Sequence, residues 1–213
     1  MAVEKDTEIY GNDFIYALNP VTFDQVIKDN VFLSKKAKFG SYTFYKGWFI
    51  RKKLFGRYDA IKAIDICWIY TIKTAHSVDF IPTGSSWNII LKTRKNSVKL
   101  NNEEPASDRK SHLAPPTTDY TFRRLKALVP WAVFGYSDYL KECWNMHNEV
   151  FLKAVDMRIK TIKKAVDNKK ILPKMDGSIQ IIEPITLPII SVKFITDAGG
   201  KAKRVYEVED RNA

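Results

Sequence analysis

Three histidines occur among 213 residues, and none stands near another. His76 lies in a strand-like run, His112 in a polar loop and His147 on the apolar side of a helical stripe. Zinc chemistry asks for clustered His, Cys or acid ligands such as HExxH or CxxC, and the chain carries neither pattern. The two cysteines, Cys67 and Cys143, each fall inside an apolar pattern, which suits buried thiols in a reducing cytoplasm. The segment PTGSS at residues 82–86 combines a glycine with hydroxyls and could cradle a phosphate on backbone N–H groups. It lacks the lysine and glycine spacing of a P-loop and is not GxSxG, so the expectation is a small-residue turn joining two strands. The acids are scattered: Glu103 and Glu104 in an expected loop, Asp59 and Asp65 on strand borders beside basic residues. An enzyme would need residues such as Asp65, His76 and Ser85 to converge in one cleft. The expectation is therefore a non-enzymatic protein with no catalytic residues, no metal and no cofactor.

Charge is more informative. The net charge is +11, and residues 31–62 hold nine Lys or Arg against the lone Asp59, so this window alone contributes +8. Residues 1–30 run the other way, with two Lys against six acids, and everything from residue 171 onward sums to zero. Concentrated charge of one sign builds a directional field toward anionic partners. The window reads SKKAKFGSYTFYKGWFIRKKLFGRYDAIK, with Trp48, Phe49 and Phe55 interleaved among cations. Lys46, Arg51, Lys52, Lys53 and Arg57 are the candidate anion-binding residues. An acidic protein or an anionic membrane surface would meet such cations while the rings dip into the interface. Single-stranded nucleic acid is the alternative partner, with phosphates on the cations, bases on the rings and help from the basic helix end at residues 158–170. The plain counterpart is that the rings are core and the lysines a solvated face.

The elements that must position these residues follow from periodicity. Hydrophobic residues make up 45% and aromatic residues 13%, enough to build a core, with 28% charged residues to keep a surface wet. The start, MAVEKDTEIYGNDF, has neither the basic opening nor the apolar run of an export signal, and no apolar stretch reaches the roughly 18 residues of a membrane helix. A soluble, cytoplasmic protein is expected. A short helix around Phe23, Val26 and Ile27, capped by Asn19 or Thr22, forms an N-terminal flank over residues 1–30. Six or seven short strands are expected between residues 31 and 101, with Lys46 and Gly47 at one turn and Arg94, Lys95 and Asn96 at a hairpin tip. After a polar loop come two helices, TDYTFRRLKALV and one of about 30 residues opening at Ser137, which extends past the sheets or bends. Between them VPWAVFGYSDYL is expected to be a joint: Pro130 ends the first helix, Gly135 turns the chain, Ser137 caps the second, and Trp131 is buried. Residues 169–213 form a strand-rich extension, with hairpins at Asp176, Gly177 and at residues 197–200. An unpaired tail strand there would allow a homodimer.

The strand IDICWIY, the later run NIILKTRKNSVKL and the closing helix together resemble the bacterial pleckstrin-homology-like domains, over residues 31–168. The pairing of HSVDFIPTGSSW with PWAVFGYSDYL is similar to a family of uncharacterised bacterial proteins of that group. The resemblance implies an α+β fold, a small antiparallel PH-like barrel or sandwich closed by C-terminal helices. It implies a binding or scaffolding module and carries no catalytic residues with it.

Overall fold

The computed structural model describes residues 11–29, 37–78, 81–105, 116–173, 179–197 and 199–210. It is a mixed α+β fold in which antiparallel sheets share one apolar core with helices. The chain begins with α1 (Gly11–Leu18) and α2 (Phe23–Asp29). The Thr22 hydroxyl accepts from the Gln25 amide and starts α2, as the capping pattern predicts. Helix α1 was not among the expected elements, although Phe14, Ala17 and Leu18 sit three and four residues apart and are all buried in the main core. The N-terminal flank is thus part of the packing.

Four short strands follow: β1 (Lys38–Phe39), β2 (Tyr42–Tyr45), β3 (Trp48–Lys52) and β4 (Tyr58–Lys62), paired in chain order as an antiparallel meander. The β2–β3 turn passes through Gly47 at φ +91, against α1: a Cβ there would stand 2.4 Å from the Tyr16 carbonyl oxygen. Only glycine admits that approach. A second sheet holds β5 (Ile66–Val78), β6 (Ile81–Thr93) and β7 (Ser97–Pro105). Its fourth strand, β8 (Val133–Phe134), comes from the joint between helices and pairs parallel to β5, Trp68 with Val133 and Ile69 with Phe134. Among the described residues these eight strands form two open sheets and close no barrel.

Two strand expectations need correction. PTGSS is not a turn between strands: residues 82–86 lie inside β6, where Pro82 pairs with Ser77 and Ser86 with Thr74. A register shift between His76 and Ser77 gives Pro82 the irregular ladder position a proline needs. Glu103 and Glu104 belong to β7, with Glu104 opposite Trp87, rather than to a loop. His112 lies outside the described residues.

The helical layer is α3 (Pro116–Leu128), α4 (Asp138–Met146) and α5 (Asn148–Asp167). The expected long helix is broken at His147, whose φ −136, ψ 47 is not helical; the apolar stripe runs on across the break through Leu140, Phe151, Val155, Ile159 and Ile162. Ser137 caps α4 by accepting from the Leu140 amide, Gly135 turns at φ +93, and Trp131 is fully buried. The Arg158 guanidinium donates to the carbonyls of Trp131 and Ala132, so a half-buried cation ties α5 to the joint. The tail forms β9 (Ile171–Pro173) with β10 (Ile179–Ile181), and β11 (Ile189–Thr196) with β12 (Ala202–Glu209). Each pair is a separate antiparallel ribbon, joined to neither large sheet. The second ribbon packs on α4 and α5: Tyr206 is buried, its ring 5.1 Å from that of His147, and Arg204 pairs with Glu142.

Candidate anion-binding tip

The candidate cations sit on the β2–β3–β4 meander, whose two faces are both covered. Side chains alternate along a strand, so Trp48 and Ile50 face α2 while Phe49 faces the main core. Trp48 packs on Phe23 at 5.0 Å and donates its indole N–H to the Val21 carbonyl at 2.9 Å; Phe49 is fully buried against Phe39 and Phe44. Phe49 is closed to a partner and Trp48 is half-buried on the α2 side, because burial with period two sends successive rings to opposite faces.

Phe55 differs. Strands β3 and β4 are joined at residues 53–57, closed by the Lys53 amide donating to the Arg57 carbonyl at 2.8 Å. Within this turn Phe55 and Gly56 take φ +60 and +71, and the Leu54 and Phe55 side chains stand 80% and 96% exposed. A left-handed φ on a bulky aromatic costs on the order of 1 kcal/mol or more. The turn therefore holds two large apolar side chains in water at a conformational cost.

Around this apex stand four of the five candidates. Lys52, Lys53 and Arg57 are exposed, and Arg51 is half-buried. Arg51 donates to Asp59 at 2.7 Å and lies over the Tyr42 ring at 4.9 Å, while Lys53 reaches Asp59 at 3.4 Å. Tyr42 donates to the same carboxylate at 2.9 Å. Partial burial pushes the Asp59 carboxyl up, but hydrogen bonds from Tyr42 and Arg51 and the nearby Lys53 outweigh it and hold it below the ordinary 3.8. Burial, aided by the Asp59 carboxylate, pushes the Tyr42 phenol up to about 12. Lys52 and Arg57 have no acidic partner among the described residues. Asp59 is one charge shared by two cations, so the apex remains positive.

Lys46 is not brought to this place. It occupies the β2–β3 turn at the opposite end of β3, roughly 15 Å of strand away, and is bound to Asp29 at 2.6 Å. Its ammonium belongs to the α2 contact. The helix end at residues 158–170 also loses cations to internal contacts: Arg158 to the joint, and Lys170 to Glu183 at 2.5 Å.

The residues considered for catalysis do not converge. His76 and Ser85 are register neighbours, since Ala75 pairs with Ser85, but Asp65 precedes β5 at the far end of a hairpin roughly 35 Å long. Asp65 instead lies near Arg94, which also pairs with Asp156 of α5. Burial pushes the Cys67 thiol up to about 12 and the Cys143 thiol to about 11, away from the thiolate form that reacts. Among the described residues no group of three His, Cys, Asp or Glu could hold a metal, and no helix is long and apolar enough to cross a membrane.

The sequence marked the cations by residue type, not by their contacts, and did not distinguish which rings are exposed. The signal for Phe55 was local: a large apolar pair, Leu54 and Phe55, directly before Gly56 and between cations, at a turn instead of inside an alternating run. Comparison of the chain with family models, curated proteins and solved structures returns no match.

Proposed function

We propose that this protein is a non-enzymatic binding module that docks on an anionic membrane surface through the β3–β4 tip. The supporting observation is the apex itself: Leu54 and Phe55 held outward in water, ringed by Lys52, Lys53 and Arg57. Each cation near an anionic leaflet contributes about 1 kcal/mol, and full burial of a Leu or Phe side chain contributes ~1.5–3 kcal/mol. The sum is a reversible attachment whose two parts respond differently to salt. The resemblance to pleckstrin-homology-like modules belongs to the same proposal, as does the absence of a catalytic role.

The lipid surface is preferred to single-stranded nucleic acid because stacking needs accessible rings along a cationic groove. Here Trp48 and Phe49 face inward, and Arg158 and Lys170 hold internal partners.

Co-sedimentation with vesicles tests the reading. Recovery is expected with phosphatidylcholine vesicles containing phosphatidylserine and not with phosphatidylcholine alone, and it should fall as salt rises. Phe55→Ser should reduce recovery at low salt without moving the thermal midpoint, since the ring has no packing to lose. Equal recovery on both vesicles sinks the proposal. Binding to a single-stranded oligonucleotide with a steep salt dependence, in the absence of vesicle binding, would replace it with the nucleic-acid reading.

A further inference from the structure

Strand β11 is an edge without edge protection. It runs eight residues, IISVKFIT, paired on one side to β12 in unbroken register from Ile189 opposite Glu209 to Thr196 opposite Ala202. Its other side has no backbone partner among the described residues. Monomeric proteins blunt such edges with charge, proline, a bulge or a covering element. This strand has no proline and no bulge, and its one charge, Lys193, is held by Glu207 on the neighbouring strand at 2.5 Å. Large apolar side chains remain in water at its end: Phe194 is 70% exposed and Ile195 48%.

One face of the strand carries Ile190, Val192 and Phe194, which line an open groove of about 510 Å³ walled by Asp138 and Tyr139 at the start of α4 and by Arg204. Arg204 is already engaged, with its guanidinium 5.9 Å from the Phe194 ring and an ion pair to Glu142. The groove and the edge are adjacent because they belong to the same strand.

We infer that β11 pairs antiparallel with β11 of a second copy, across a twofold axis at Val192, to make a continuous four-stranded ribbon in a homodimer. The register follows from the pleat and the charges. A twofold perpendicular to the ribbon keeps each face with itself, so it must pass through a residue and not between two. Centred on Lys193, it sets the two ammonium groups opposite each other, which is unfavourable. Centred on Ser191, it shortens the match and leaves Phe194 against Pro188. Centred on Val192, it sets Phe194 opposite Ile190, Ile195 opposite Ile189 and Lys193 opposite Ser191. Every large apolar residue then meets another, no like charges face, and the second copy's Phe194 is laid beside Ile190 on the groove face. The inference is independent of the tip and its membrane reading, since the two involve different strands.

Sedimentation equilibrium of the full chain tests it. A species of twice the 24.6 kDa chain mass is expected as concentration rises to roughly 100 μM. Phe194→Lys should weaken self-association at least about tenfold while leaving the thermal midpoint in place, because the ring is mostly in water. The register has its own readout. Cα atoms opposite each other in an antiparallel pair stand about 4.5–5.5 Å apart, within disulfide reach. Val192→Cys should therefore give a reducible covalent dimer under mild oxidation. Ile195→Cys, facing Ile189, should not, and the wild-type chain with its two buried thiols supplies the baseline. A wild-type chain that stays at monomer mass, an unchanged association in Phe194→Lys, or equal cross-linking of Val192→Cys and Ile195→Cys overturns the inference.

Discussion

Asp59 concentrates the residue-scale physics of the tip. One carboxylate accepts from Tyr42, Arg51 and Lys53, and so draws two cations and the β2 strand toward one point on β4. Because its folded pKa lies below the unfolded 3.8, the charged form is the one the fold prefers. The stability it contributes is present above about 3.8 and is lost as pH falls through the lower folded value. Asp59→Asn should therefore be less stable than the wild type at neutral pH, and the gap should close on acidification below pH 4, roughly. Urea unfolding of both proteins across that range checks it; a gap that persists unchanged in acid would show that the carboxylate's charge contributes nothing. The same substitution frees Arg51 and Lys53, so vesicle recovery should rise at low salt. Stability and binding move in opposite directions from one site.

At the scale of elements, the joint at residues 129–137 does the most. It ends α3, contributes β8 to the second sheet, and caps α4 through Ser137. Trp131 fills the space under it, wholly buried, and Arg158 holds its carbonyl. Trp131→Ala should cost ~3–5 kcal/mol, as core aromatics do. Trp131→Phe should cost much less, because the indole N–H has no acceptor among the described residues to forfeit. Guanidinium denaturation of the pair checks both values. This joint was largely legible in the sequence, since proline, glycine and a capping serine act through local backbone rules. The β8 pairing was not: two residues, Val133 and Phe134, carry no strand signal, and they join β5 only because the core brings them there. Local signals misled in two places. Helix α1 has no proline near its start and no Ser, Thr, Asp or Asn directly before it, the signals that announce the still shorter α2, and the PTGSS residues look like punctuation until a bulge absorbs them into β6. Cations were legible as types and not as contacts, because Lys46 and Lys53 differ only in which carboxylate folding sets beside them.

The whole molecule behaves as one packing unit by the measure of its core. Phe14 near the start, Ile66 and Trp68 in the middle, and Ile171 and Tyr206 near the end belong to a single buried cluster. The C-terminal ribbon is consequently not a detachable appendage, although it shares no ladder with either large sheet. Tyr206→Ala should lower stability by about 3 kcal/mol and do so for the entire chain. Tryptophan fluorescence and far-ultraviolet circular dichroism should then report one shifted, coincident transition. Two separated transitions would mean that the ribbon melts alone.

The parallel contact between β5 and β8 also sets an order of birth. Trp68 donates its indole N–H to the Gly135 carbonyl at 2.7 Å, and Gly135 returns its own amide to Ile69 at 2.9 Å. A chain leaving the ribosome holds β5 ready long before residue 135 has been made. Until then Trp68 and Ile69 must wait beside an open strand edge, and the first half of the protein is exposed to wrong partners for the time the second half takes to arrive.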